Sequence, residues 1–142
     1  MSNRLKKESE EHDKTVGLIA KARFGFPTSD HPDWKTYTNH PDQTMGVTKK
    51  DGIIVYPDIV VVKKPENNLE MIGEVETPVT VNDEEASREW ANYASLQTTF
   101  YLYVPNDLID VAKKLLTKYS ITISGLRGYY YDAKGDLNII NH

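Results

Sequence analysis

The stretch DGIIVYPDIVVVKKPENNLEMIGEVET, residues 51–77, decides the fold, because it holds two β-rich segments separated by a turn. Residues 52–63 are rich in β-branched side chains, which favour a strand. Residues 64–68 have the composition of a turn. Residues 69–77 predict a second strand, so the whole stretch predicts a β-hairpin.

Three carboxylates in this hairpin form the candidate site. Residues i and i+2 of a strand share a face, so Glu74 and Glu76 point the same way. If the turn is centred on Glu66, Asp58 lies opposite Glu74, with Cβ atoms about 4.5–5.5 Å apart. Like charges at that distance favour a divalent cation such as Mg²⁺ between them. Moving the turn centre by half a residue would instead place Asp58 opposite Val75, on the other face.

Further elements are predicted on both sides of the hairpin. Residues 3–24 predict a helix with Val16 and Ile19 on its buried face. Residues 26–44 contain three prolines and predict a long polar loop. After the hairpin, we expect a helix at 83–97 capped by Asn82, a strand at 98–104, a helix at 107–119 and two short strands within 121–140. This order predicts one α/β domain over residues 1–142, with a mixed sheet flanked by helices.

Composition narrows the function classes. The chain has no cysteine, which excludes disulfides, cysteine–zinc sites and a thiol nucleophile. The sequence has no run of roughly 20 apolar residues and no secretory signal, so a cytoplasmic protein without a membrane segment is expected. The net charge of −4 weighs against tight non-specific binding of nucleic acid. The first 23 residues nevertheless hold basic side chains that predict a local basic face: Arg4, Lys6, Lys7, Lys14, Lys21 and Arg23.

Pro57-Asp58, followed after residues 59–73 by Glu74-Val75-Glu76, resembles the motif of the PD-(D/E)XK nucleases, which are related to restriction endonucleases. The order of helix, strands, helix and strand resembles the core of that superfamily too. The resemblance implies a restriction-endonuclease-like fold. It also implies hydrolysis of phosphodiester bonds in DNA, or less often RNA, with Mg²⁺ or Mn²⁺ as cofactor. Asp58, Glu74 and Glu76 would then be catalytic residues and metal ligands.

The chain departs from this motif at its third position, which is usually Lys and here is Glu76. Some nucleases of the superfamily carry Glu there and remain active, and others recruit a basic residue from a neighbouring element. Arg88, on the helix at 83–97, is our candidate for that basic residue, with a surface charge as the alternative. The first helix of such nucleases often adds a glutamate. Among Glu8, Glu10 and Glu11 we favour Glu11, with a solvated run of charges as the alternative.

Other side chains leave the function open. His31 and His40, in the polar loop, are alternative metal ligands or acid–base groups, and Trp90 and Tyr93 are expected in the core. Glu76 in the Lys position leaves a second hypothesis, a non-catalytic nucleic-acid-binding or assembly module that keeps the fold. The chain has little room for a recognition domain, so sequence-specific cleavage would need a homodimer or another partner.

Overall fold

The computed structural model describes residues 3–142, and side chains from Lys6 onward, so the side chain of Arg4 lies outside the described part. The chain divides into two compact units, Met1–Gly73 and Glu74–His142. Both units combine helices with strands, which confirms a mixed α/β architecture. Among the described residues, no helix is both long enough and apolar enough to cross a membrane.

The first unit begins with helix α1 (Asn3–Arg23), close to the predicted bounds. Its buried face carries Val16 and Ile19, as their spacing predicts. Phe24 follows the helix and is also buried. A Cβ atom at Gly73 would lie 3.0 Å from the Phe24 ring, so this glycine permits close packing at the end of the unit.

Three strands form an antiparallel sheet in the first unit. They are β1 (Trp34–Thr38), β4 (Ile59–Lys63) and β5 (Asn68–Val75), with β4 between the other two. The last two residues of β5 belong to the second unit. Strand β1 lies inside residues 26–44, so the prediction of a loop without regular structure was wrong there. The hairpin of β4 and β5 is confirmed.

The pairing of β4 with β5 contains two registers separated by a β-bulge. Ile59 pairs with Gly73, and Val61 pairs with Met71, which is the register expected for a turn centred on Glu66. Beyond the bulge, Val62 pairs with Leu69, so the register near the turn is displaced by half a residue toward Pro65. This is opposite to the displacement that would place Asp58 across from Val75. The ladder begins at Ile59, and the pair Asp58–Glu74 therefore stays a prediction.

The predicted strand at 52–63 is interrupted. Its first part is β3 (Ile54–Val55), which pairs with β2 (Val47–Thr48) in a separate two-stranded sheet. Tyr56, Pro57 and Asp58 then connect β3 to β4. This break follows from proline, which has no amide hydrogen to donate to a ladder. It leaves Asp58 immediately before β4, one residue outside the ladder that β4 forms with β5.

The second unit contains the remaining elements. A helical run comprises α2 (Asp83–Glu85), a π-helical turn (Ala86–Trp90) and α3 (Ala91–Ala94), and Asn82 caps it by accepting from the Glu85 amide at 2.9 Å. Strand β6 (Thr99–Pro105) leads through a 3₁₀ turn (Asn106–Leu108) into α4 (Ile109–Lys118). Strand β7 (Gly125–Tyr131) pairs in parallel with β6, and β8 (Leu137–Asn141) pairs antiparallel with β7. These elements follow the predicted order closely.

Candidate metal centre

Asp58 is buried between two imidazoles. Asp58 is only 4% exposed to solvent. The His40 Nε2 atom lies 2.9 Å from Asp58 Oδ1, and the His12 Nε2 atom lies 3.3 Å from Asp58 Oδ2. Each carboxylate oxygen therefore faces one ring nitrogen. Two such contacts compensate the cost of burying the charge of Asp58.

Helix α1 supplies His12 together with its neighbour Asp13. His12 precedes Val16 by four residues and Ile19 by seven, so helical periodicity places it at the border of the buried face. Asp13 Oδ1 lies 3.6 Å from His12 Nδ1 and 3.3 Å from His40 Nδ1. The two rings meet edge to face, with centroids 4.6 Å apart. His12, Asp13, His40 and Asp58 thus form one imidazole–carboxylate cluster within the first unit.

Asn39 fixes the backbone that carries His40. Its side chain is buried and donates to the carbonyls of Met45 at 2.8 Å and Pro57 at 2.7 Å. The same side chain accepts from the amides of Thr44 at 2.7 Å and Met45 at 2.8 Å. The Asn39 amide also donates to the Asp58 carbonyl at 3.0 Å. These bonds hold the loop that carries His40 against the segment that carries Asp58.

His12, Asp13 and His40 could hold a metal ion. One ligand atom from each lies within 4.8 Å of the others. Asp13 Oδ1 is buried and accepts no hydrogen bond, although carboxylate oxygens are strong acceptors. The imidazole nitrogens suit ions such as Zn²⁺ and Ni²⁺, whereas Mg²⁺ prefers oxygen ligands. Nothing in this group specifically supports Mg²⁺.

The predicted glutamates lie in the second unit, and both are buried. Glu74 is 7% exposed and Glu76 is 3% exposed. The Trp90 indole nitrogen donates to Glu76 Oε1 at 3.1 Å, and the Tyr129 hydroxyl donates to the Glu76 carbonyl at 2.5 Å. The π-helical turn ends at Trp90, and such turns often occur at functional positions. Within the second unit, Glu76 is thus held by an aromatic side chain of the helix that follows it.

The other candidates lie on the surface. Arg88 has a side chain that is 73% exposed and pairs with Glu84 at 2.6 Å, the contact expected of residues four apart on a helix. Glu11 is exposed on α1, beside His12. His31 stacks on Trp34 with ring centroids 3.7 Å apart.

Sequence reasoning missed half of the imidazole–carboxylate cluster. It named Asp58 and gave His40 as one alternative, but on α1 it chose among Glu8, Glu10 and Glu11 and proposed neither His12 nor Asp13. A signal was present for His12, because a spacing of four from Val16 and seven from Ile19 marks the buried side of α1. No comparable local pattern marks His40. Its position depends on the hydrogen bond of the neighbouring Asn39 to Pro57, which is distant in the sequence.

Comparisons with known proteins add no relative. No protein-family model matches the chain, and neither a curated protein nor a solved structure matches it. The chemistry of the site is therefore inferred from its own side chains. Two imidazoles and two carboxylates can bind a divalent ion, accept or deliver a proton, or form ion pairs with one another.

Proposed function

We propose that this chain is a metal-dependent nuclease with a restriction-endonuclease-like fold, which hydrolyses phosphodiester bonds in DNA. The observation that carries the proposal is the imidazole–carboxylate cluster around Asp58, the aspartate of the PD-(D/E)XK-like motif. In this proposal Asp58, Glu74 and Glu76 are the acidic residues of the catalytic centre, and His12 and His40 surround the first of them. Arg88 and Glu11 stay candidates for supporting roles.

Burial supports this assignment. Among the side chains that the structure describes, the buried charged ones are Asp58, Glu74 and Glu76. Carboxylates are rarely buried unless a partner or a functional requirement compensates for the loss of hydration. The three positions picked out by the motif are therefore the three at which the described part of the fold buries a carboxyl side chain.

The chemistry of the residues suits phosphodiester hydrolysis. A bound divalent ion would polarise the phosphate and lower the pKa of a bound water molecule. The imidazoles of His12 and His40 would hold the Asp58 carboxylate in position. The carboxylates would hold the ion, and the backbone contacts of Asn39 would keep His40 in place.

Cleavage of supercoiled plasmid DNA tests the proposal. Purified chain is incubated with the plasmid and Mg²⁺, Mn²⁺, Zn²⁺ or chelator, and nicked and linear products are separated on a gel. We expect divalent-ion-dependent nicking, with Asp58→Asn and Glu74→Gln each lowering the rate by about 100-fold or more, because removing catalytic groups costs several kcal/mol of transition-state stabilisation. Single-stranded DNA and RNA are assayed in parallel.

Matched controls separate chemistry from folding. Asp30→Asn and Glu66→Gln make the same chemical changes at exposed positions and should leave the rate unchanged. Far-UV circular dichroism verifies that each variant is folded. If the wild-type chain cleaves none of these substrates with any of the ions, nuclease activity is disproved.

A second function is favoured by the surroundings of Glu76 and Arg88. Glu76 occupies the position of the motif Lys and accepts a hydrogen bond from Trp90, while Arg88 is exposed and paired with Glu84. These contacts fit a nucleic-acid-binding or assembly module without catalysis. Retarded migration of DNA in a native gel, weakened by added salt and without cleavage, would favour this module.

A further inference from the structure

The two histidines of the imidazole–carboxylate cluster face Asp58 with one ring nitrogen and Asp13 with the other. His12 and His40 both direct Nε2 toward Asp58, at 3.3 and 2.9 Å. A carboxylate oxygen accepts hydrogen bonds, so these contacts favour a proton on each Nε2. In a neutral ring the other nitrogen, Nδ1, then carries a lone pair. Both Nδ1 atoms lie near Asp13 Oδ1.

Three electron-pair donors therefore converge beside α1. Asp13 Oδ1 is 3.6 Å from His12 Nδ1 and 3.3 Å from His40 Nδ1, and it accepts no hydrogen bond. Lone pairs facing one another repel unless a cation or a proton lies between them. A metal ion would remove the repulsion at all three atoms and use the buried Asp13 oxygen.

The spacing fits a small transition ion. Metal–nitrogen and metal–oxygen bonds of Zn²⁺ are about 2.0–2.2 Å, which gives a separation of about 3.3–3.6 Å between neighbouring ligands in a tetrahedral shell. The two distances from Asp13 Oδ1, 3.3 and 3.6 Å, are close to that separation. Three protein ligands leave a fourth position for water or substrate, as in catalytic zinc sites.

Asp58 contacts the ring nitrogens that do not face Asp13. Metal-binding histidines commonly donate their second ring N–H to a carboxylate, which fixes the tautomer and raises the basicity of the ligating nitrogen. Asp58 meets both rings in this way. It is thus a positioning residue for the two imidazoles and not a ligand of this ion.

We propose that His12, Asp13 and His40 bind a first-row transition ion, such as Zn²⁺ or Ni²⁺, through Nδ1, Oδ1 and Nδ1, while Asp58 positions both rings. This inference goes beyond the proposed function, because its ligands differ from Asp58, Glu74 and Glu76, the carboxylates that would hold the ion of the nuclease. The two remain separable, because metal binding is measured without DNA.

Titration with Co²⁺ tests the site on the full-length chain after chelator treatment and dialysis. Bound Co²⁺ absorbs in the visible region, and tetrahedral coordination gives much stronger absorption than octahedral coordination. We expect one Co²⁺ per chain, displaced by Zn²⁺ but not by millimolar Mg²⁺. His12→Ala and His40→Ala should weaken binding by about 100-fold or more, and Asp58→Asn by about 10- to 100-fold.

His31→Ala is the matched control, since His31 also lies in the first unit but stacks on Trp34. It should bind Co²⁺ like the wild type. If His40→Ala unfolds the chain, as shown by circular dichroism, His40→Gln provides a conservative replacement without an imidazole. Asp13→Asn should abolish the strong absorption while the chain stays folded, because the amide has nearly the size and shape of the carboxylate.

Defined outcomes overturn the inference. They are absence of Co²⁺ and Zn²⁺ binding, binding that survives loss of His12 and His40, and nuclear magnetic resonance spectra in which both rings stay doubly protonated after Zn²⁺ is added. Mg²⁺-dependent cleavage by a wild-type chain that binds neither Co²⁺ nor Zn²⁺ would remove this site and keep the nuclease. Tight Co²⁺ binding without cleavage would keep the site and remove the nuclease.

Discussion

The fold holds the buried carboxylates Asp58 and Glu76 in two different ways. Asp58 faces imidazole nitrogens at 2.9 and 3.3 Å, whereas Glu76 accepts a hydrogen bond from the Trp90 indole at 3.1 Å. An imidazole can gain a proton or bind a metal near neutral pH, but an indole only donates. The surroundings of Asp58 can therefore change their charge and ligands, while those described for Glu76 are fixed. A buried carboxylate alone does not identify a reactive site; its neighbours do.

The largest loss of stability is expected from removing Trp90, the hydrogen-bond donor to Glu76. Trp90→Ala should lower the free energy of unfolding by about 3–5 kcal/mol, since it deletes a fully buried aromatic ring. It also leaves Glu76 Oε1 without its indole donor. Urea unfolding followed by circular dichroism measures the loss. Trp34→Ala is the control, because Trp34 is half-buried, and an equal loss there would contradict the prediction.

The support of His40 is expected to matter somewhat less for stability. Asn39→Ala removes four side-chain hydrogen bonds and leaves buried backbone groups unpaired, at about 1–3 kcal/mol for a buried unsatisfied group. Urea unfolding should show a loss of about 2–3 kcal/mol, and Co²⁺ titration should show weaker binding. Thr44→Val, which removes one exposed hydrogen bond, is the control. Unchanged Co²⁺ binding in Asn39→Ala would separate His40 from this network.

Replacing each of the two carboxylates by its amide is expected to have a smaller effect on stability. Asp58→Asn should destabilise the metal-free chain by about 1–2 kcal/mol, because one of the two imidazole N–H groups then faces an amide N–H. Glu76→Gln keeps an oxygen acceptor for Trp90 and should cost under about 1 kcal/mol. Thermal unfolding of both variants in the same buffer measures the difference. A larger loss for Glu76→Gln would reverse the comparison.

The smallest effect belongs to an exposed ion pair of the second unit. Lys118 donates to Asp83 and lowers the pKa of that carboxyl. A lowered pKa in the folded chain stabilises the protein above the unfolded pKa, and this contribution disappears as pH falls through the folded value. Lys118→Met should therefore lower the melting temperature slightly at neutral pH and not in strong acid. Thermal scans at both pH values measure this, and Lys114→Met is an exposed control.

The sequence predicted the parts of the fold that local patterns encode. The hairpin of β4 and β5 follows from two β-rich segments and a turn within residues 51–77, and part of its register was predicted too. Strand β1 was missed because its sequence, WKTYT, is only half-buried and has no apolar run. Its strand conformation comes from pairing with β4, for example Thr36 with Val61, which is a long-range interaction.

The candidate site was predictable only in part, for the same reason. Asp58 is marked by a charge next to four consecutive apolar β-branched residues. His12 is marked by its helical spacing from Val16 and Ile19 on the buried face of α1, a signal that the sequence analysis did not use. His40 is brought to Asp58 by a turn that Asn39 ties to Pro57, 18 residues away. Such convergence depends on tertiary structure and leaves no periodic trace in the sequence.

The bulge between β4 and β5 has a consequence for how this hairpin tolerates change. Glu70 is the extra residue, because Val61 pairs with Met71 while Val62 pairs with Leu69. In an uninterrupted ladder, deleting one residue from the turn would reverse the facing of every side chain beyond it. Here the deletion can be compensated by losing the extra residue, so the pairing next to Asp58 keeps its register when the loop shortens by one residue.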